Sequence, residues 1–165
     1  MWGLGEQHQT GHEAIETLMP TPVASLRDQK VTAVVCGYHH TLLCTESEVF
    51  ACGTGEHGQL GLGPVVTTAA TPAPLPALKG KGVVSLACSR YHCAALSDAG
   101  KVWTWGRGEY GQLGHGDQEN RDVATAVKAL ASTPVQSLGC GWGHSMVVTR
   151  AGTVFTWGFG GKGQP

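Results

Sequence analysis

Cys36-Gly37-Tyr38-His39-His40-Thr41, Cys88-Ser89-Arg90-Tyr91-His92-Cys93 and Cys140-Gly141-Trp142-Gly143-His144-Ser145 follow one another at an interval of 52 residues. The same interval relates Val23, Leu75 and Val127, then Leu26, Leu78 and Leu130, then Val31, Val83 and Val135. Self-similarity at a fixed period marks one supersecondary unit copied along the chain. Past the histidines the phase slips by one, because Glu46-Ser47-Glu48 stands where Asp98-Ala99-Gly100-Lys101 and Arg150-Ala151-Gly152-Thr153 stand later. That difference is one of turn length. The units are 20–63, 71–116 and 123–165, preceded by a partial motif over 1–19, within a single repeat domain over 1–165.

Inside each unit, short apolar runs bounded by turn residues predict strands, and no window carries a helical period of useful length. The second unit predicts strands near Val83 to Cys88, Cys93 to Leu96 and Val102 to Trp105, with a tight turn at Asp98-Ala99-Gly100. The third predicts them at Val135 to Cys140, Ser145 to Thr149 and Val154 to Trp157. A fourth, outer strand is expected near Val23 to Leu26, Leu75 to Leu78 and Val127 to Leu130, where prolines 20, 22, 72, 74 and 76 suit an edge strand or an irregular connection. The fold class is all-β, with β-propeller blades of four antiparallel strands. Closed propellers have about four to eight blades. About three units therefore predict an open arc or partial propeller, whose uncovered end faces favour self-association. Trp2-Gly3-Leu4-Gly5 shares its phase with the motifs at Trp105 and Trp157, and Pro165 interrupts the last copy, so a segment of a longer propeller is expected.

The 165 residues are 41% hydrophobic and 14% charged, enough apolar material for a core. The 25 glycines are about twice the usual share and imply many tight turns. A net charge of −1 offers no uniform field for nucleic-acid phosphates, and direct nucleic-acid binding is not expected. No apolar run is long enough for a membrane span and no export signal is visible. An intracellular location, cytoplasmic rather than nuclear, is expected. Cys36, Cys88 and Cys140 occupy one repeat position a unit apart, which predicts reduced, buried, small apolar side chains.

The stretches from Cys36, from Val49 to Gly53 and from Gly58 to Gly63 resemble the repeat of the regulator of chromosome condensation family. Trp105-Gly106-Arg107-Gly108-Glu109-Tyr110-Gly111-Gln112-Leu113-Gly114 is similar to that family's signature. The resemblance implies a seven-bladed propeller fold. Its members include an exchange factor for the small GTPase Ran, ubiquitin-ligase subunits, ciliary GTPase regulators and a plant ultraviolet receptor. Fold transfers more safely than activity. Ser89 departs from the pattern, standing where glycine is usual, as do His8 and Thr10 in the first copy. At the phase where the ultraviolet receptor relies on tryptophans beside arginines, this chain has Tyr38, Arg90 and Trp142, and photoreception is not expected.

Gly53 to Gly58, Gly106 to Gly111 and Gly158 to Gly163 match G-x-G-x-x-G. That fingerprint also needs a following helix and an acid about 20 residues on. Neither is visible, and no cofactor is expected: Gly53, Gly58, Gly61, Gly106, Gly111 and Gly114 are read as connection glycines. His40, His92 and His144 could converge as metal ligands. With no carboxylate at a shared phase, they are expected instead to bond backbone groups between the first and second strands. Trp105 and Trp157, with Cys52 in the matching place, and Phe50, Trp103 and Phe155 are read as packing groups, with a ligand cage as the alternative. No nucleophile and base arrangement stands out.

Glu6, Glu56 and Glu109 share one phase, with Arg107 beside them. These four are the candidate partner-binding rim, expected to meet a basic patch on a protein. The function expected is a non-catalytic protein-interaction scaffold. The resemblance adds an exchange factor or regulator of a small GTPase as the alternative, then a substrate-recognition segment of a ubiquitin ligase. An oxidoreductase is a further reading from another class.

Overall fold

A computed structural model describes residues 1, 3–14 and 16–164. Trp2 and Pro165, to which the terminal readings appealed, lie outside the described residues. The chain opens with a two-stranded ribbon, β1 (Gly3–Leu4) and β2 (Glu16–Thr17). Three antiparallel sheets follow. The first joins β3 (Val31–Cys36), β4 (His40–Thr45), β5 (Val49–Thr54) and β6 (Thr68–Pro74) in that order. The second joins β7 (Val83–Cys88), β8 (His92–Ser97), β9 (Val102–Gly106) and β10 (Arg121–Ala126). The third has β11 (Val135–Cys140), β12 (His144–Thr149) and β13 (Val154–Gly158).

The repeat extends to register. Cys36 pairs with Thr41, Cys88 with Cys93 and Cys140 with Ser145, and an irregularity falls between Val31 and Ala33, Val83 and Ser85, and Val135 and Ser137. The strand β7 lies against both β3 and β11, so the first strands of successive blades are neighbours and the sheets form successive sectors. Among the described residues they do not close into a ring.

The outer strand is not where the leucine spacing put it. Ala24–Leu26, Pro76–Leu78 and Lys128–Leu130 are single 3-10 turns, and β6 and β10, which precede the last two of these turns, are the fourth strands. The amides of Leu75 and Val127 still donate to Val49 and Val102 carbonyls, after which the chain turns away. Leu26, Leu78 and Leu130 recur because each drives a buried side chain from the turn into a blade junction. Pro72 and Pro74 sit in β6, an edge strand, where a missing amide donor is tolerated.

The core lies between sheets. Leu42, Ala51, Leu60, Leu75, Ala95 and Trp105 fill the first junction, and Leu96, Val102, Val127, Val135 and Val147 the second. Trp103 is 8% exposed, whereas Phe155 at the matching position of the third blade is 42% exposed, because no further sheet covers that face.

The six cysteines are free, as read, but their burial is uneven. Cys36 is exposed, Cys88 and Cys140 are half-buried, and Cys44, Cys52 and Cys93 are buried. The expectation of burial fails at Cys36 because its side meets only Met1, Leu4 and their neighbours, while the later copies each face a complete preceding blade. No helix is long and apolar enough to cross a membrane among the described residues.

Candidate functional site

Two groups of side chains stand out. One holds the blades together and the other covers one rim.

At each junction the loop after a third strand folds over a glutamine. Gln9, Gln59, Gln112 and Gln164 each accept, through Oε1, the amide two residues before them, at 2.8–3.0 Å. The main-chain carbonyl of that glutamine then accepts from the next blade. Gln59 receives Trp105 Nε1–H at 2.9 Å and Cys93 Sγ–H at 3.4 Å. Gln112 receives Trp157 Nε1–H at 2.8 Å and Ser145 Oγ–H at 2.8 Å. Thr41 repeats the contact to Gln9 at 2.7 Å. A buried carbonyl must be paired, and these donors come from the neighbouring sheet, so pairing docks one blade on another.

The repeated histidines complete the clamp. They bond side chains of the following blade, not backbone groups as the spacing suggested: His92 Nε2 lies 2.9 Å from Ser145 Oγ and His40 Nε2 lies 3.0 Å from Cys93 Sγ. Since Ser145 spends its proton on Gln112, His92 must donate through Nε2, and its Nδ1 accepts from Ser89 Oγ at 2.6 Å. Ser89, the departure from the glycine pattern, is therefore a partner for the ring. Gly37 stands in that place beside His40, and His40 Nδ1 has no partner among the described residues. Burial, then the charges of His144 and His40, lower His92 to about 4, so it is neutral near pH 7. The three histidines do not share a centre, for His40 and His92 serve separate junctions. His144 makes no such bond among the described residues.

Among the glycines read as connection residues, two show what a side chain would meet. A Cβ at Gly106, whose φ is 99°, would lie 2.4 Å from the Tyr91 carbonyl, and one at Gly114 would lie 2.8 Å from the Trp157 indole nitrogen. No helix follows any G-x-G-x-x-G stretch among the described residues.

The thiols at the first junction form a tighter group. Cys88 Sγ lies 3.6 Å from Cys93 Sγ. Burial raises both thiols. The neighbouring Cys93 and His40 side chains outweigh this at Cys88 and hold it at about 6, while Cys93 remains well above the usual thiol range.

The second group lies on the rim where first-to-second-strand turns meet the loops after third strands. The amides of Thr54, Arg107 and Phe159 donate to the carbonyls of His39, Tyr91 and Gly143, which brings those two kinds of loop together in every blade. Arg90 lies 4.3 Å over the Tyr38 ring and 4.9 Å over Tyr91. Arg107 lies 5.5 Å from Tyr91 and 5.6 Å from Tyr110. Tyr110 then meets Trp142 at 5.5 Å and Phe159 at 5.2 Å. A ladder of alternating arginine and aromatic side chains thus crosses all three blades, with Tyr38 and Trp142 about half exposed at 55% and 52%.

Of the four rim residues read from sequence, the structure joins two. Arg107 and Glu109 form an ion pair, which holds the Glu109 carboxyl below its usual range. Glu56 lines a cleft of about 270 Å³ with His39, His57 and Tyr91. Glu6 is exposed, and neither it nor Glu56 bonds another rim residue. The aromatic partners were missed as a group because Tyr38, Arg90 and Trp142 share a phase but not a residue type.

The RCC1 repeat, "Regulator of chromosome condensation (RCC1) repeat", matches residues 1–44, 46–96 and 99–148. The chain belongs to the RCC1-repeat family. A second description of the same repeat matches 31–59, 83–112 and 135–164. The RCC1-repeat chain is 36% identical over 166 residues to the ultraviolet-B receptor UVR8 of Arabidopsis thaliana, covering 99% of this chain and 38% of the receptor. It is 38% identical over 147 residues to the probable E3 ubiquitin-protein ligase HERC4 of Homo sapiens, covering 88% of this chain and 14% of the ligase. Among solved structures, human WBSCR16 superposes with a TM-score of 0.83 at 29% identity, over 94% of this chain and 41% of that one. Yeast RCC1 (Prp20), solved with Kap60, gives 0.82 at 24% identity over 96% and 39%, a likeness of fold. The RCC1-repeat chain therefore spans less than half the length of each of these proteins, and its sheets are propeller blades.

Proposed function

We propose that this chain is a non-catalytic protein-interaction scaffold and that the arginine and aromatic rim is its contact surface. The observation that carries the reading is the ladder from Tyr38 through Arg90, Tyr91, Arg107 and Tyr110 to Trp142. Arginine, tyrosine and tryptophan are the side chains that most often dominate binding energy at protein interfaces. Here they are held by one another, so little conformational freedom is lost on binding. Their position on loops leaves the blade junctions undisturbed.

The rim favours a different partner from the one its glutamates suggest. Glu109 is already paired with Arg107, whereas Arg90 offers its charge over two rings. A protein surface bearing an apolar patch flanked by carboxylates fits this better than a basic patch. The test is affinity capture with wild-type protein and with the double variant Arg90→Ala, Trp142→Ala. Loss of the same co-purifying proteins with unchanged unfolding supports the reading, and full retention contradicts it.

Regulation of a small GTPase is the second reading, supported by family membership. It needs no covalent chemistry from the chain, only a face that binds the GTPase and weakens nucleotide binding. Release of fluorescent nucleotide from a panel of small GTPases separates the two readings: accelerated release supports exchange, and binding without release supports a scaffold. A substrate-recognition role resting on the HERC4 likeness would appear in the same capture experiment as ligase components or their substrates.

A further inference from the structure

The first junction gathers one imidazole and two thiols from three strands of two blades. His40 comes from β4, Cys88 from β7 and Cys93 from β8, and their donor atoms all lie within 4.8 Å of one another. The Ser89 amide donates to the His92 carbonyl, so Cys88 and Cys93 form the next pair of the ladder outside that bonded pair, where facing side chains come closest. We propose that His40, Cys88 and Cys93 bind a thiophilic d10 metal ion of the Zn²⁺ class.

Metal–sulfur bonds of about 2.3 Å and metal–nitrogen bonds of about 2.0–2.1 Å imply ligand separations of about 3.8 Å between sulfurs and about 3.6 Å from nitrogen to sulfur at tetrahedral angles. The observed separations are 3.6 Å for the sulfurs and 3.0 Å from His40 Nε2 to Cys93 Sγ. The sulfurs already stand near the tetrahedral spacing, and the His40 nitrogen stands nearer to Cys93 than a shared ion would hold it. Two thiols and an imidazole select zinc or copper(I) over the hard cations held by carboxylates. Both sulfurs bind as thiolates, and a thiol still protonated gives its proton to solvent on binding. Two thiolates then balance a divalent ion, so the buried site carries no net charge, which a low-dielectric junction favours. The Gln59 carbonyl, 3.4 Å from Cys93 Sγ, lies beside the set.

The second junction supplies an internal control. There the matching residues are His92, Cys140 and Ser145, with a hydroxyl in place of one thiol. Cys93→Ser therefore installs a side chain that the fold already uses at the same point of the clamp.

The intact protein, purified reduced and without chelators, is loaded with Zn²⁺ alone and analysed by elemental mass spectrometry after gel filtration. The expected result is about one zinc per chain, as for a single site, and its loss in Cys93→Ser with the circular dichroism spectrum unchanged. Ser145→Cys provides the missing thiol beside His92 and Cys140 and is expected to double the zinc content. The proposal is overturned if wild type and Cys93→Ser retain the same amount, or if Ser145→Cys gains none. It is equally overturned if the wild-type protein is metal-free and lighter by two hydrogens, the mass of a Cys88–Cys93 disulfide.

Discussion

The two complete blade junctions use one clamp with different atoms. Between the second and third blades the chain of donors is closed: Ser89 gives to His92, His92 to Ser145 and Ser145 to the Gln112 carbonyl. Between the first and second blades, glycine replaces the serine, His40 Nδ1 has no partner among the described residues and a thiol replaces the hydroxyl. Hydrocarbon burial runs the other way. The first junction encloses Trp105 completely, while Trp157 at the second is only partly covered. One junction relies on packing and the other on a satisfied polar network, so the same substitution should act unequally on the two.

Trp105→Ala should have the largest effect. It removes a fully buried ring and the donor to Gln59, and is expected to cost about 3–5 kcal/mol in chemical denaturation, against a clearly smaller loss for Trp157→Ala. Equal losses would show that the end blade is covered in solution.

Acid comes next. The folded-state pKa of His92 lies at about 4, below its ordinary 6.5. The unfolded chain therefore binds the extra proton first, and stability falls as pH drops from 6.5 toward 4. The loss expected from this one group is about 3 kcal/mol. Denaturation midpoints followed across that interval should fall in wild type and flatten in His92→Gln. An unchanged slope would contradict the neutral, donating ring.

Ser145→Ala strands both the Nε2–H of His92 and part of the Gln112 carbonyl's bonding, an expected loss of about 1–3 kcal/mol. Arg107→Ala, by contrast, breaks an exposed ion pair and should cost less than about 1 kcal/mol by the same assay. A larger cost for Arg107 would make the rim structural and weaken its assignment as a free contact surface.

The repeat was legible because every blade must solve the same packing problem. Valines, leucines, cysteines and histidines at one phase face matching neighbours, so the period named the strands of β7, β8, β9, β11, β12 and β13 almost to the residue. It misplaced the outer strand because Leu26, Leu78 and Leu130 recur for burial from a turn, and a recurrent leucine does not reveal the backbone that carries it. Clamp partners lie 53 residues apart, one more than the repeat, because a histidine reaches the residue after its own counterpart. Aligning like with like hides such a pair. The His40, Cys88 and Cys93 group was hidden for a further reason: Cys93 matches Thr41 and Ser145, so no letter recurs there. The rim ladder escaped because loop positions freed from packing need not repeat, and only the fold shows that Arg90 reaches Tyr38.

Hydrogen exchange at the tryptophan indole N–H groups, resolved by NMR, tests the shared clamp most directly. Trp105 and Trp157 should both exchange far more slowly than the exposed Trp142, because each donates to a glutamine carbonyl in the neighbouring blade. Exchange at Trp105 as fast as at Trp142 would mean that the blades are not docked through that bond.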